Sequence, residues 1–228
     1  MSSTESAHQI SEGVCLVSGN RNYSSWSLRA WLSLRKAGID PQVIVVPLDT
    51  ETFEEQIGAL SPTRRVPVLW LNGNCIWDSL AIAETCNEAF ASGGLWPADE
   101  YLKALGRSMA AEMHSGFSAL RNALPMNCRA VNRSVKVDGG VSKDIARVCE
   151  LWSQARKASD SDRWLLGSLS IVDCMFAPVV LRFRAYELEL TQDARDYVAC
   201  WLEDSDLQDW IARAEDEPWT IEHEEVGS

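Results

Sequence analysis

At 228 residues, with 46% hydrophobic and 24% charged side chains, the chain has the make-up of a globular protein large enough for one big domain or two smaller ones. A formal charge of −12 argues against nucleic acid or an anionic membrane as a partner. No apolar window reaches the about 18 residues of a membrane span, and MSSTESAHQISEG has neither the basic nor the apolar region of a signal peptide, so residues 1–12 read as a short disordered leader. The seven cysteines lie at least eleven residues apart and form no C-x-x-C pair, which points to free thiols in a reducing, cytoplasmic setting, with neither a disulfide framework nor a metal site.

In chain order, VCLVSG (14–19) is a short apolar run ending in glycine, a strand. From Ser25 to Ala37 the residues Leu28, Trp31, Leu32 and Leu34 recur at helical spacing, and Gly38 ends that helix. QVIVVPL (42–48) is a second strand, and Thr52–Leu60 is a weak acidic helix. VPVLWL (66–71), the dipeptide Asn72-Gly73 and NCIW (74–77) form a hairpin closed by a tight primed turn. Asp78 and Ser79 then cap a helix to about Ala91. A parallel first pair followed by an antiparallel hairpin predicts a thioredoxin-like α/β domain over 13–92. Residues 93–100 carry the glycines and proline of a linker. The rest reads as an all-helical domain over 101–215, with helices at Tyr101–Leu124, Ser142–Ser159, Val172–Leu188, Ala194–Leu202 and Leu207–Ala214. Residues 216–228 read as an acidic tail.

Charge is unevenly spread. Glu203–Ser228 holds ten acids against one base, Arg213, whereas Gly13–Ile39 holds none and carries Arg21, Arg29, Arg35 and Lys36. A small anion suits that cationic stretch. Within it Tyr23, Ser24 and Ser25 open the first helix. They are either a plain cap or a site that stabilises a thiolate. A thiol of pKa ~8.5 is only about 3% ionised at pH 7, and lowering it by roughly two units makes it about three-quarters thiolate, a stabilisation of ~2.7 kcal/mol. One hydroxyl donor and a helix amino terminus can supply that. Neither serine has Glu or Gln three residues on, so the capping box is incomplete there.

Two more features converge at the carboxyl ends of the strands, where α/β sheets bind ligands. Val66-Pro67 could present backbone groups to an extended peptide if the bond is cis; an ordinary strand-opening proline is the alternative. Asp78 and Ser79 match an amino-acid end that bears both ammonium and carboxylate, or are simply a cap.

Together, NYSSWSLRAW, LSPTRRVPVL, DSLAIAE and LLGSLSIVDCMFAP resemble the cytosolic glutathione transferase family, in family order from about Val14 to Trp210. The serine pair most resembles its zeta-like, serine-type members. That resemblance implies glutathione as co-substrate, no metal, a small electrophile to be detoxified and a homodimer, for which Trp77 and Trp96 are surplus aromatics. It implies Ser24 as hydrogen-bond donor to the glutathione sulfur, with Ser25 and then Tyr23 as the other candidates. Cis-Pro67 and Val66 would hold the cysteinyl backbone, Asp78 and Ser79 the γ-glutamyl end, and Arg64 or Arg65 the glycyl carboxylate. Ser170–Asp173 resembles the family's structural capping box. Zeta members that isomerise maleylacetoacetate carry cysteine where this chain has Trp26, which sets that activity in doubt.

An electrophile pocket is expected between the domains, along Tyr101–Leu124. One stripe of that helix, Met113 and Phe117 among it, is apolar and suits either core or an apolar substrate. The stripe Arg107, Ala111, His114, Ser118 and Arg121 suits a polar cleft or solvent, with His114 an acid–base candidate. Peroxide reduction or double-bond isomerisation on the same site is one rival reading, and a non-enzymatic interaction protein with the tail as docking element is another.

Overall fold

The structure is a computed structural model and describes residues 13–227; the proposed leader lies outside them. Strand β1 (Val14–Ser18) pairs in parallel with β2 (Gln42–Val45) and antiparallel with β3 (Val68–Leu71), which pairs antiparallel with β4 (Asn74–Trp77). The order β2-β1-β3-β4 makes β1 an inner strand. Helices on its faces explain why Cys15, Leu16 and Val17 are all buried rather than alternating. The β3–β4 turn has positive φ at both Asn72 (50°) and Gly73 (78°), as a tight primed turn requires. Around the sheet lie α1 (Ser25–Lys36), α2 (Phe53–Leu60) and α3 (Ser79–Ala89). This is a thioredoxin-like α/β unit followed by helices.

The second part comprises α4 (Glu100–Ser115), α5 (Ser118–Ala123), α6 (Gly139–Ser159), α7 (Ile171–Ala185), α8 (Gln192–Leu202) and α9 (Ser205–Glu215). The single helix expected over Tyr101–Leu124 is two. Its apolar period runs on through residue 120, but Phe117 adopts φ +60° and breaks the ladder after Gly116. Helix α7 is mostly apolar and buried along nearly its whole length, Asp173 and Arg182 included. Its capping box forms as expected: Asp173 accepts from the Ser170 backbone N–H and hydroxyl, both at 2.9 Å. The same carboxylate also accepts from Leu165 N–H at 3.1 Å and the Tyr197 hydroxyl at 2.9 Å.

The segment between α3 and α4 is held tightly. Leu95 donates to Asn87, its carbonyl accepts from Ile171, and Trp96 is buried with its indole N–H on Glu84. Trp96 therefore serves the core and not a dimer surface; Trp77 is half exposed. One apolar cluster runs from Leu16 and Leu28 through to Trp152 and Trp201, so the two units share a core. Helix α1 lies in the middle, packed on both α3 and α7.

The tail is no free extension. Glu217 pairs with Arg21 at 3.1 Å, and a 3₁₀ turn at Glu222–Glu224 brings Glu225 onto Tyr23, Asn127 and Arg133. Asp204 and Asp206 meet Lys36 at 2.7 Å, and Asp206 also meets Arg35. The acidic end of the chain thus neutralises much of the cationic stretch at its start.

Candidate active site

Two cavities flank Trp26, and Trp26, Arg65 and Val66 border both. The smaller, about 550 Å³, is completed by Thr63, Pro67, Trp77, Asp78, Ser79 and His114. The larger, about 620 Å³, is completed by Tyr23, Ser24, Ser25, Arg121, Arg182 and Glu224 among others. The structure thus gathers the serine loop, the Val-Pro loop and the Asp-Ser cap into one region, and the Val66–Pro67 bond is cis.

Each hydroxyl in this region is used differently. Ser24 caps α1: its Oγ accepts from Ser27 N–H at 3.4 Å and donates to Ser27 Oγ at 2.8 Å. Ser27 Oγ in turn accepts from Gly19 N–H. Ser25 makes no side-chain hydrogen bond among the described residues, so its proton is uncommitted. Tyr23 is spent elsewhere: its phenol donates to Glu225 at 2.5 Å and accepts from Arg129 at 2.9 Å. Tyr23, the third candidate after the two serines, thus has its proton directed at Glu225 in this arrangement. No acidic side chain stands in the first turn of α1, whose positive end is unopposed there.

In the smaller cavity Asp78 takes φ +76°, caps α3 through Leu80 N–H at 2.9 Å and stays partly exposed. Ser79 Oγ is buried and has no partner. His114 comes from α4 with its Nε2 3.1 Å from Asp78 Oδ2 and its ring edge-on to Trp26 at 5.2 Å. This places His114 beside the Asp-Ser cap rather than in a separate electrophile pocket. Met113 and Phe117 do not line either cavity; they belong to the core, at 0% and 7% exposure, Met113 from the α4 face that packs on α7 and Phe117 from the break between α4 and α5. Arg65 borders both cavities, whereas Arg64 is exposed and pairs with Glu54 at 3.0 Å. Cysteine takes no part. Burial pushes the Cys15 thiol up to about 11 and those of Cys86 and Cys128 to about 12, leaving them protonated at neutral pH.

Three arginines lie near the serines: sequence reasoning placed Arg29 in the cationic stretch and Arg121 on the polar-cleft stripe, and missed Arg182. Arg29 is wholly buried in α1, with Nε on the Met175 carbonyl at 2.9 Å and Nη1 without a partner. Arg29 and Arg121 each hold a guanidinium 4.3 Å from the Trp26 ring centre. Arg182, buried in α7, donates to the carbonyls of Leu124 and Pro178. The acid-free stretch 13–39 hinted at Arg29; nothing local marks Arg182.

A thioredoxin-like sheet, a helical second unit, and serines at a helix start facing a cis-proline loop together define the architectural class of this protein. The glutathione S-transferase N-terminal domain profile matches residues 23–89. Glutathione S-transferase L3 of Arabidopsis thaliana is 23% identical over 202 residues, 85% of this chain and 79% of that one. Maleylacetoacetate isomerase of Rattus norvegicus is 33% identical over 110 residues, 47% of this chain and 50% of the other. The crystal structure of maleylacetoacetate isomerase from Anaeromyxobacter dehalogenans 2CP-1, with GSH bound in its active site, aligns with a TM-score of 0.66 and 26% identity, over 90% of this chain and 98% of that one. Residues 23–89 thus match a glutathione S-transferase N-terminal domain, and most of the chain is similar to glutathione transferases and a maleylacetoacetate isomerase.

Proposed function

We propose that the protein is a glutathione transferase that binds glutathione across the two cavities and keeps its sulfur ionised at the amino end of α1. The observation that carries this reading is Ser79 Oγ, buried without a partner beside Asp78 in the smaller cavity. An α-amino-acid end suits that corner. Its carboxylate accepts from Ser79 and the α3 amino terminus, and its ammonium pairs with Asp78. Val66 and Arg65, bordering both cavities, then take the middle and far end of the tripeptide, which turns the sulfur toward the serines.

There Ser25 offers a free hydroxyl proton. Ser24 can also donate, at the cost of its bond to Ser27, about 1 kcal/mol. The thiol proton leaves to solvent, the sulfur lone pair forms a bond to the electrophilic carbon, and the leaving group departs with its electron pair. The protein supplies position and charge stabilisation. Double-bond isomerisation by the same thiolate is the second reading, favoured by the isomerase relatives; Trp26, where isomerase-type members carry cysteine, weighs against it. Seven free cysteines accord with a reducing cytoplasm and half-exposed Trp77 with a homodimer, and both belong to this proposal, as does a detoxifying role.

The test is glutathione titration calorimetry with wild type and Ser79→Ala, together with conjugation of 1-chloro-2,4-dinitrobenzene by Ser24→Ala and Ser25→Ala. Ser79→Ala is expected to bind about tenfold more weakly. Loss of the donor serine lowers the rate at pH 7 about 10- to 100-fold and moves the pH profile upward. No glutathione binding by wild type, or full rate in both serine variants, overturns the proposal.

A further inference from the structure

Among the described residues several buried or half-buried cations meet a carboxylate: Arg21 has Glu217, Lys36 has Asp204 and Asp206, Arg133 has Glu225 and Arg156 has Asp193, while Arg129 and Arg184 bond carbonyl or phenol oxygens and line neither cavity. Arg29, Arg121 and Arg182 meet no carboxylate there either. Among the described residues their recorded hydrogen bonds all go to backbone carbonyls, and Arg29 keeps a buried Nη1 with none. Leaving a guanidinium buried and unpaired is costly, and a chain with 33 acidic residues does not lack partners for it. Burial and repulsion from Arg121 hold Arg29 well below the ordinary arginine range, and the same two causes pull Arg182 down to about 10.

Two of the three line the larger cavity, next to Ser24 and Ser25. The other arginines there are Arg65 and the Glu54-paired Arg64, and the lone carboxylate among the lining residues is Glu224. Burial pushes the Glu224 carboxyl up, against the pull of His223 and Arg182, and among the described residues it forms no ion pair with Arg121 or Arg182. The indole of Trp26 beside Arg121 offers a flat apolar wall to a planar ligand.

We propose that the larger cavity is an anion site: Arg121 and Arg182, backed by Arg29 behind Trp26, bind a carboxylate carried by a planar electrophile and hold its reacting carbon beside the serines. This deepens the proposed function and rests on it for the nucleophile. It also answers an electrostatic difficulty, since an anionic substrate approaching a thiolate is repelled unless cations offset both charges.

The test uses matched probes, 4-chloro-3,5-dinitrobenzoate and its methyl ester. With each, glutathione sulfur bonds to the carbon bearing chlorine, chloride leaves with its electron pair, and the thiol proton goes to solvent. After division by the uncatalysed rates, kcat/KM is expected to favour the acid over the ester by about tenfold or more. Arg121→Gln lowers that ratio about tenfold, while Arg121→Lys, which keeps the charge, retains most of it. A ratio at or below one, or an equal fall for acid and ester in Arg121→Gln, overturns the proposal.

Binding of the unreactive 3,5-dinitrobenzoate and its methyl ester to wild type, measured by calorimetry without glutathione, needs neither turnover nor a folded variant. Tighter binding of the acid is expected, and equal binding refutes the anion site. Preference for the acid in a protein that binds no glutathione upholds the anion site and removes the transferase reading instead.

Discussion

Asp173→Asn tests the account of how the second unit is held. One fully buried carboxylate takes four donors: the backbone N–H groups of Leu165 and Ser170 and the hydroxyls of Ser170 and Tyr197, at 2.9–3.1 Å. An asparagine can place its oxygen toward Leu165 and Tyr197 or toward the two Ser170 donors, but not both. The other pair then faces an NH₂ group. Two buried donors without acceptors cost ~1–3 kcal/mol each, so the substitution should destabilise the protein by roughly 3–5 kcal/mol. For a chain of this size that lowers Tm by about 10 °C.

The pH dependence supplies an independent readout. Burial pushes the Asp173 carboxyl up to about 6, despite the four donors pulling it down. A carboxyl raised on folding takes up its proton in the native state first. Its contribution is therefore fully present below about pH 4 and is lost as pH rises through about 6, a change of about 3 kcal/mol. Urea unfolding of wild type and Asp173→Asn at several pH values measures both effects. A loss under ~1 kcal/mol, or parallel stability–pH curves for the two proteins between pH 4 and 7, would refute the reasoning.

Gly106→Ala places a Cβ 2.6 Å from Leu166 and 2.8 Å from the Trp96 ring, so α4 must shift; thermal unfolding should show a loss of ~1–3 kcal/mol. Glu225→Gln removes the charge that receives Tyr23, Asn127 and Arg133, and amide exchange over residues 219–226 should quicken about tenfold. Burial pushes the Glu225 carboxyl up, but Tyr23 and Arg133 outweigh it and hold the group below the usual carboxylate range. The strap is therefore firm above that range and loosens as pH falls through the lowered value. Exchange that stays equally slow when pH is taken well below the usual carboxylate range, once corrected for the intrinsic rate, would contradict this.

Much of this protein was legible from its residues alone, because the decisive interactions there are local. The Asn72-Gly73 turn needs two positive φ values, the Ser170–Asp173 box closes within one helical turn, and Asp78 caps the helix it begins. The loops that meet at the cavities were legible for the same reason: each ends a strand or opens a helix. Tertiary structure decided the rest. Phe117 left the helix although the apolar period ran through it and packs into the core from the break, while the rotation of α4 sent Met113 into the core and His114 onto Asp78. Which acid neutralises which base spans up to about two hundred positions, as Tyr23 with Glu225 and Arg21 with Glu217 show. Arg29, Arg121 and Arg182 come together from three helices, and no periodicity along the chain records that two of them line one cavity with the third close by. Local hydrogen bonds are written in neighbouring residues; long-range charge balance exists only once the backbone has brought distant segments together.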